Sequence, residues 1–277
     1  MSKKTWFITG ISSGLGKALA QSVIDNGDFV IGTFRNQSQT DSFNNEHQGK
    51  AKAFTLDVTN FNQVENVIEE IKTQFKTVDV LVNNAGFGFA GAIEETSGEE
   101  AKAVFETNLF AVLHIIQKIL PIFRHQKTGH VIQISSHDGF KAFAGFGIYN
   151  ASKFALEGIS EALAQEVAPL GIKVTIVEPG PFRTNFAGNS FKEALKIIDD
   201  YSTTSGLFRE KIKAIDGMQE GDPTKAAKAI IDIANLDNPP LRLPLGKVAV
   251  QTLTAKLESV SKDLNNYKTI AENSVFE

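Results

Sequence analysis

Short apolar runs bounded by turn residues recur along the chain, at Thr5 to Thr9, Phe29 to Phe34, Ala51 to Leu56, Val78 to Val82, His130 to Ile134 and Ile172 to Val177. Their lengths suit buried strands. Between them lie amphipathic stretches of helical spacing, from Leu15 to Ile24, Val64 to Phe75, Ala101 to Ile119 and Tyr149 to Val167, the last stopping before Pro169 and Gly171. Strand and helix alternating in this way build parallel βαβ units whose sheet is covered on both faces. The pattern predicts a Rossmann-like doubly wound α/β fold, a three-layer α/β/α arrangement in a single domain spanning 1–277.

Beyond residue 187 the pattern changes. Residues 187–221 are polar and dotted with glycine, with helix-capable spacing only from Lys192 to Tyr201. Asp222-Pro223 then reads as the start of a helix, an N-cap residue followed by proline at the first helical position. In an extension over 239–277, Leu241 to Leu245 suits a final strand at a sheet edge, where Pro244 is tolerated, and Ala249 to Leu264 a last helix. No internal repeat or low-complexity linker interrupts the chain.

At 277 residues and 42% hydrophobic content the chain can bury a large core. A net charge of -4, with no long basic run, points away from nucleic acid or an anionic membrane as partner and toward a small molecule. There is no cysteine, which removes disulfides, thiolate catalysis and cysteine-ligated metals. The N-terminus is too short in apolar residues for a secretory signal, and no uncharged apolar stretch of about 18 residues occurs, so a cytoplasmic location is expected.

Candidate chemistry sits at strand ends. Thr9-Gly10-Ile11-Ser12-Ser13-Gly14-Leu15-Gly16 joins the first strand to the first helix. Gly10 permits a tight turn, Gly14 lets backbone approach a phosphate, Gly16 lets the helix pack on the strand, and the helix N-terminus favours negative charge. The second strand ends Phe34-Arg35-Asn36 without the carboxylate that would accept hydrogen bonds from a free ribose 2'-hydroxyl; Arg35 offers a fork for a 2'-phosphate, so NADPH is expected over NADH. Tyr149 and Lys153, four apart, share a helix face, where the ammonium lowers a phenol pKa from about 10 and makes it a usable proton donor and acceptor. No metal site is indicated. Ser136, His137 and Asp138 are consecutive, and on an extended segment neighbours point opposite ways, so a hydrolase triad is not expected.

The glycine turn, Asn83-Asn84-Ala85-Gly86 after the fourth strand, Asn108, Ser136 and Tyr149 with Lys153 together resemble the short-chain dehydrogenase/reductase family over roughly residues 5–187. The resemblance implies an oxidoreductase that interconverts a carbonyl and a secondary alcohol with NADP. It implies that Gly10, Ser12, Ser13, Gly14, Leu15 and Gly16 hold the pyrophosphate and adenosine side, Asp57 and Val58 flank the adenine, and Asn83, Ala85 and Gly86 line the ribose path. Pro179, Gly180, Phe182 and Thr184 match the segment beside the nicotinamide. Tyr149 becomes the general acid or base, Ser136 the carbonyl donor, thirteen residues before it as in the family, Lys153 a ribose ligand as well, and Asn108 the holder of a relay water. Among 21 phenylalanines, Phe87, Phe89, Phe140, Phe143, Phe146, Phe182 and Phe186 fall where the family builds its substrate pocket, which suits an apolar or aromatic carbonyl compound. Residues 187–221 resemble its mobile substrate loop, and a homodimer or homotetramer through the helices near Ala101 and Tyr149 is implied. A non-catalytic NADP(H) sensor and an epimerase or dehydratase on the same scaffold are the alternatives.

Overall fold

The structure, a computed structural model, describes residues 3–184, 186 and 190–276. A seven-stranded parallel sheet forms its centre. The strands are β1 (Thr5–Ile8), β2 (Phe29–Phe34), β3 (Ala51–Thr55), β4 (Val80–Asn83), β6 (Gly129–Ile134), β7 (Ile172–Pro179) and β9 (Arg242–Leu245), in the order β3-β2-β1-β4-β6-β7-β9. The chain winds outward from β1 in both directions, so the crevice above the carboxyl ends of β1 and β4 is the place where this architecture takes ligands.

Successive strand residues face opposite layers. Phe7, Leu81 and Val131 pack against α3 (Phe61–Gln74) and α5 (Ala111–Gln126). Trp6, Ile8, Val80 and Val82 pack against α1 (Gly14–Asp25) and α8 (Pro223–Ala234). Asp222 caps α8 by accepting from the amides of Thr224 and Lys225, with Pro223 at the first helical position. The helical stretch over 98–126 is apolar enough by composition to cross a membrane, yet Ala111, Ile115, Ile119 and Phe123 lie in the core. It comprises α4 (Gly98–Phe105), a π-helical turn over Glu106–Phe110, and α5.

Two regions depart from the expected pattern. A helix α2 (Gln37–Glu46) follows β2, capped by Asn36 and burying only Thr40, so it has no apolar stripe to announce it. The expected helix from Lys192 to Tyr201 is absent. Its place is taken by β8 (Phe191–Glu193), which pairs in parallel with β5 (Gly88–Ala90), and Ala194 enters a small core with Phe89 and Val104. Backbone amides in this stretch find carboxylates instead of helical carbonyls: Leu195 donates to Glu100 Oε1 and Ile198 to Glu95 Oε1, both at 3.0 Å. A 3-10 turn (Asp199–Tyr201) and a π-helical turn (Ser202–Gly206) lead into α7 (Leu207–Ala214); after β9, α9 runs from Lys247 to Glu272. Between α5 and β7 lies α6 (Gly147–Val167), which carries Tyr149 and Lys153.

Candidate active site

A cleft of about 920 Å³ runs over the carboxyl ends of the strands. One end is the turn between β1 and α1. Gly10 and Gly14 have φ of +70° and +59°, left-handed values that favour glycine. A methyl group on Gly16 would stand 2.3 Å from Asn84 Nδ2 and 2.4 Å from the Gly10 carbonyl oxygen. Asn84 fixes this turn, donating from Nδ2 to the carbonyls of Thr9 and Gly10 at 2.9 Å each, while Thr9 Oγ1 accepts from the amides of Asn84 and Ala85. Ser13, the N-cap of α1, makes no side-chain capping bond, so the first-turn amides of α1 are left for a ligand in the cleft. Arg35 is exposed at the rim, and Asp57 and Val58 line the same end. These residues fit a dinucleotide: backbone donors, excluded side chains and a cationic rim occur together where negative charge has to be held.

Ala85 and Gly86 carry the cleft toward its other end. A methyl on Gly86 would lie 3.0 Å from Asn108 Oδ1 and 3.8 Å from Lys153 Nζ. The segment after β7 closes the far wall: Pro179, Gly180, Phe182 and Thr184 line it, and Thr184 Cβ stands 3.5 Å from where a methyl on Gly14 would be.

Ser136, Tyr149 and Lys153 share this cleft with the glycine turn. Tyr149 lies in the first turn of α6 with its ring stacked on Phe146, 4.3 Å between centroids, and Phe186 at 5.9 Å. Lys153 is buried, donates to the Ile134 carbonyl at 2.8 Å and stands 5.8 Å from the Tyr149 ring centre. Burial lowers its pKa to about 8, against the opposing charges of Glu157 and Asp138. The Tyr149 pKa is displaced upward, opposite to the sequence expectation. Burial of the phenol dominates, the Asp138 charge adds to it, and only Ser136 opposes.

Asp138 had no part in the sequence reading except to be dismissed, on the premise that the segment is extended. After Ser136 the chain turns into a single 3-10 turn, His137–Gly139. The Ser136 hydroxyl therefore reaches Asp138 Oδ2 at 2.9 Å, and Asp138 lies 3.6 Å from His137 Nε2. His137 does not complete a triad, since its Nδ1 pairs with Thr252 Oγ1 at 3.3 Å. Burial raises the Asp138 pKa. When neutral, Asp138 can donate to Ser136 Oγ and free the serine hydrogen; when ionised it captures that hydrogen.

Five expected residues do not line the cleft, and one of them, Phe89, is buried in the small core with Val104 and Ala194. Asn83 points into the sheet, its amide donating to Gln133 Oε1 at 2.9 Å. Phe140 lies under the Arg242 guanidinium at 5.3 Å, and Phe143 lies edge-on to His137 at 5.8 Å. Both follow from the 3-10 turn, which sends the chain after Ser136 toward β9 and α9. Asn108, in the π-helical turn, stands behind the cleft, bonding Phe87 through both its oxygen and its amide and donating to Ser152 Oγ. Phe87, Phe146, Phe182 and Phe186 do line it, joined by Ser190, Lys192, Ile212, Ile215 and Gln219 from a segment with no motif to signal them. Of the expected substrate loop, 187–189 lie outside the described residues.

The family profile described as short chain dehydrogenase matches residues 4–195. This chain belongs to the short-chain dehydrogenase/reductase family. It is 40% identical over 255 residues to the 3-ketodihydrosphingosine reductase of Bacteroides thetaiotaomicron, covering 91% of each chain. A short-chain dehydrogenase from Streptomyces avermitilis superposes with a TM-score of 0.93 at 40% identity, over 99% of this chain and 100% of that one. ElxO with NADP bound superposes with a TM-score of 0.74 at 28% identity, over 90% and 100%. As a member of this family the protein is an oxidoreductase built on a Rossmann-like sheet.

Proposed function

We propose that this short-chain dehydrogenase/reductase uses NADPH to reduce a ketone on an apolar body to a secondary alcohol. The observation that carries the reading is the common cleft, with the glycine turn at one end and Ser136, Tyr149 and Lys153 at the other. NADPH supplies the hydride. Ser12, Ser13 and the first-turn amides of α1 would hold the pyrophosphate, and Arg35 the 2'-phosphate through charge-assisted bonds. ElxO, 28% identical, is a similar protein with NADP bound, and the 3-ketodihydrosphingosine reductase is a similar one named for a ketone.

At the reacting carbonyl, the Ser136 hydroxyl donates to the oxygen and stabilises the charge that develops there. The Tyr149 phenol gives that oxygen a proton. The raised pKa of Tyr149 keeps it protonated and ready to donate, which suits reduction more than alcohol oxidation. Lys153, with a pKa near 8, stands close enough to bias the phenolate left behind. Phe146 and Phe186 cover the phenol and exclude water, so an apolar ketone is favoured over a sugar.

The test is loss of NADPH absorbance, with NADH in parallel, over aliphatic, aromatic, steroidal and long-chain amino ketones. Turnover of a ketone with NADPH that vanishes in Tyr149→Phe supports the reading; tight NADPH binding with no turnover of any ketone class overturns it in favour of a non-catalytic sensor.

A further inference from the structure

Helix α9 starts against the body of the protein and then leaves it. Ala249 and Thr252 are buried, whereas every residue from Leu257 to Phe276 is exposed. A helix with water as its only neighbour is polar all round. This one is not. Val250, Leu253, Leu257, Val260, Leu264 and Tyr267 recur at alternating intervals of three and four, and the last four are between 50% and 63% exposed. That spacing is a heptad seam, which on a left-handed supercoil stays turned toward one partner helix carrying the same repeat.

We propose that this seam is a self-association surface, on which α9 of a second copy of this chain packs, parallel and in register, as a short coiled coil. With Leu257 and Leu264 at the a positions and Val260 and Tyr267 at d, Asp263 falls at g and Lys268 at the following e. In a parallel pair the g residue of one helix faces the e residue five places on in the other, so Asp263 meets the partner's Lys268, and two-fold symmetry makes the pair twice. The flanks are therefore complementary to themselves. A lipid surface fits less well: over the protruding part Lys256, Lys262 and Lys268 are balanced by Glu258, Asp263 and Glu272, without the cationic excess that anionic headgroups select. The surface is separate from α4 and α6, through which the family resemblance implies association.

Sedimentation of the full-length protein at tens of micromolar, beside Leu257→Asp/Leu264→Asp, tests the seam. The substitutions lie where α9 touches nothing in the body, so NADPH binding stays unchanged while the particle mass falls. Because the chain has no cysteine, Leu264→Cys adds a single thiol at an a position, and oxidation should link most of it into covalent dimers. Ser259→Cys, off the seam, should link less than about a tenth as much. Equal masses for parent and double variant, a monomeric parent, or equal cross-linking at the two positions would overturn the proposal. So would flotation of the parent with phosphatidylglycerol vesicles that the Asp substitutions abolish, which would assign the seam to lipid.

Discussion

The two ends of the cleft are made of different material. At the glycine turn the wall is backbone, set by positions where even a methyl group collides, and Asn84 braces it from the adjoining strand. At the Tyr149 end the wall is side chain: Phe146 and Phe186 lie against the phenol, and Phe191 and Phe208 pack behind Phe146, from segments far apart in sequence. A wall of backbone shapes one ligand chemistry and tolerates little change. A wall of side chains can be rebuilt for another substrate while the first wall stands. Substitutions should therefore separate cleanly into those that cost cofactor affinity and those that cost substrate recognition.

The junction of the two ends should be the most sensitive point. Tyr149→Phe removes the proton donor and should lower turnover by about 10³-fold, with NADPH affinity, measured by fluorescence titration, left within about twofold. Gly16→Ala comes next. Its methyl group overlaps Asn84 and the Gly10 carbonyl, and overpacking costs about 1–3 kcal/mol, equivalent to roughly 5- to 150-fold in NADPH affinity if the strain is relieved on release. An equal loss in substrate KM would break the separation of the two ends.

The far end depends on how residues 190–221 are tied down. Glu95 is buried and accepts from the amides of Ala92 and Ile198 and from Arg209, with Arg209 Nη1 at 2.6 Å. These bonds, that to Arg209 first, hold its pKa down at about 2. A carboxylate depressed in the folded state contributes stability that is present above its usual pKa of 4.5 and is lost as pH falls toward about 2. Arg209→Ala should strand Glu95, cost about 3 kcal/mol, raise protease cleavage within 190–221 and raise substrate KM about tenfold, with NADPH affinity unchanged. Protection of the same segment against hydrogen exchange, measured relative to the intrinsic rate at each pH, should fall in the parent protein between pH 4.5 and 2.

Legibility follows the same division. The glycine turn is readable because a backbone wall needs glycine at fixed places, and β2 is found with the bounds its apolar run predicts, Phe29–Phe34. The start of α4 at Gly98, earlier than its apolar spacing suggests, is written in the Ser97 and Glu100 capping box. The pairing of β5 with β8 is not readable, because three-residue strands joined across a hundred positions carry no periodicity. Neither is the site of Phe140 and Phe143, which one 3-10 turn redirects, nor the direction of the Tyr149 pKa, which burial decides over a neighbouring ammonium.

Arg35→Ala should weaken NADPH about tenfold and leave NADH unchanged, the loss of one charge-assisted contact at an exposed rim. No change in the ratio of the two cofactors would remove Arg35 from the recognition of a 2'-phosphate. A reduced KM effect for the ketone in the same variant would sharpen the division between the ends, since Arg35 and Tyr149 line opposite reaches of the cleft.

The smallest effect expected is also the most specific to the substrate end. Asp138, with its pKa raised by burial, accepts the Ser136 hydrogen when ionised, which takes that hydrogen away from the substrate carbonyl. As pH falls through the raised pKa, Asp138 becomes neutral and Ser136 becomes free to donate. The parent should accordingly show a modest gain in kcat/KM for reduction as pH falls through the range where Asp138 takes up its proton. Asp138→Asn cannot ionise, and its amide can still bond Ser136 Oγ, so this limb should flatten, with a change of only about threefold at pH 7. The control is NADPH affinity, which should be the same in both proteins at every pH. A limb that persists in Asp138→Asn would assign the titration to another group, Lys153 being nearest to neutrality with a pKa of about 8, and would leave Ser136 acting without its neighbour.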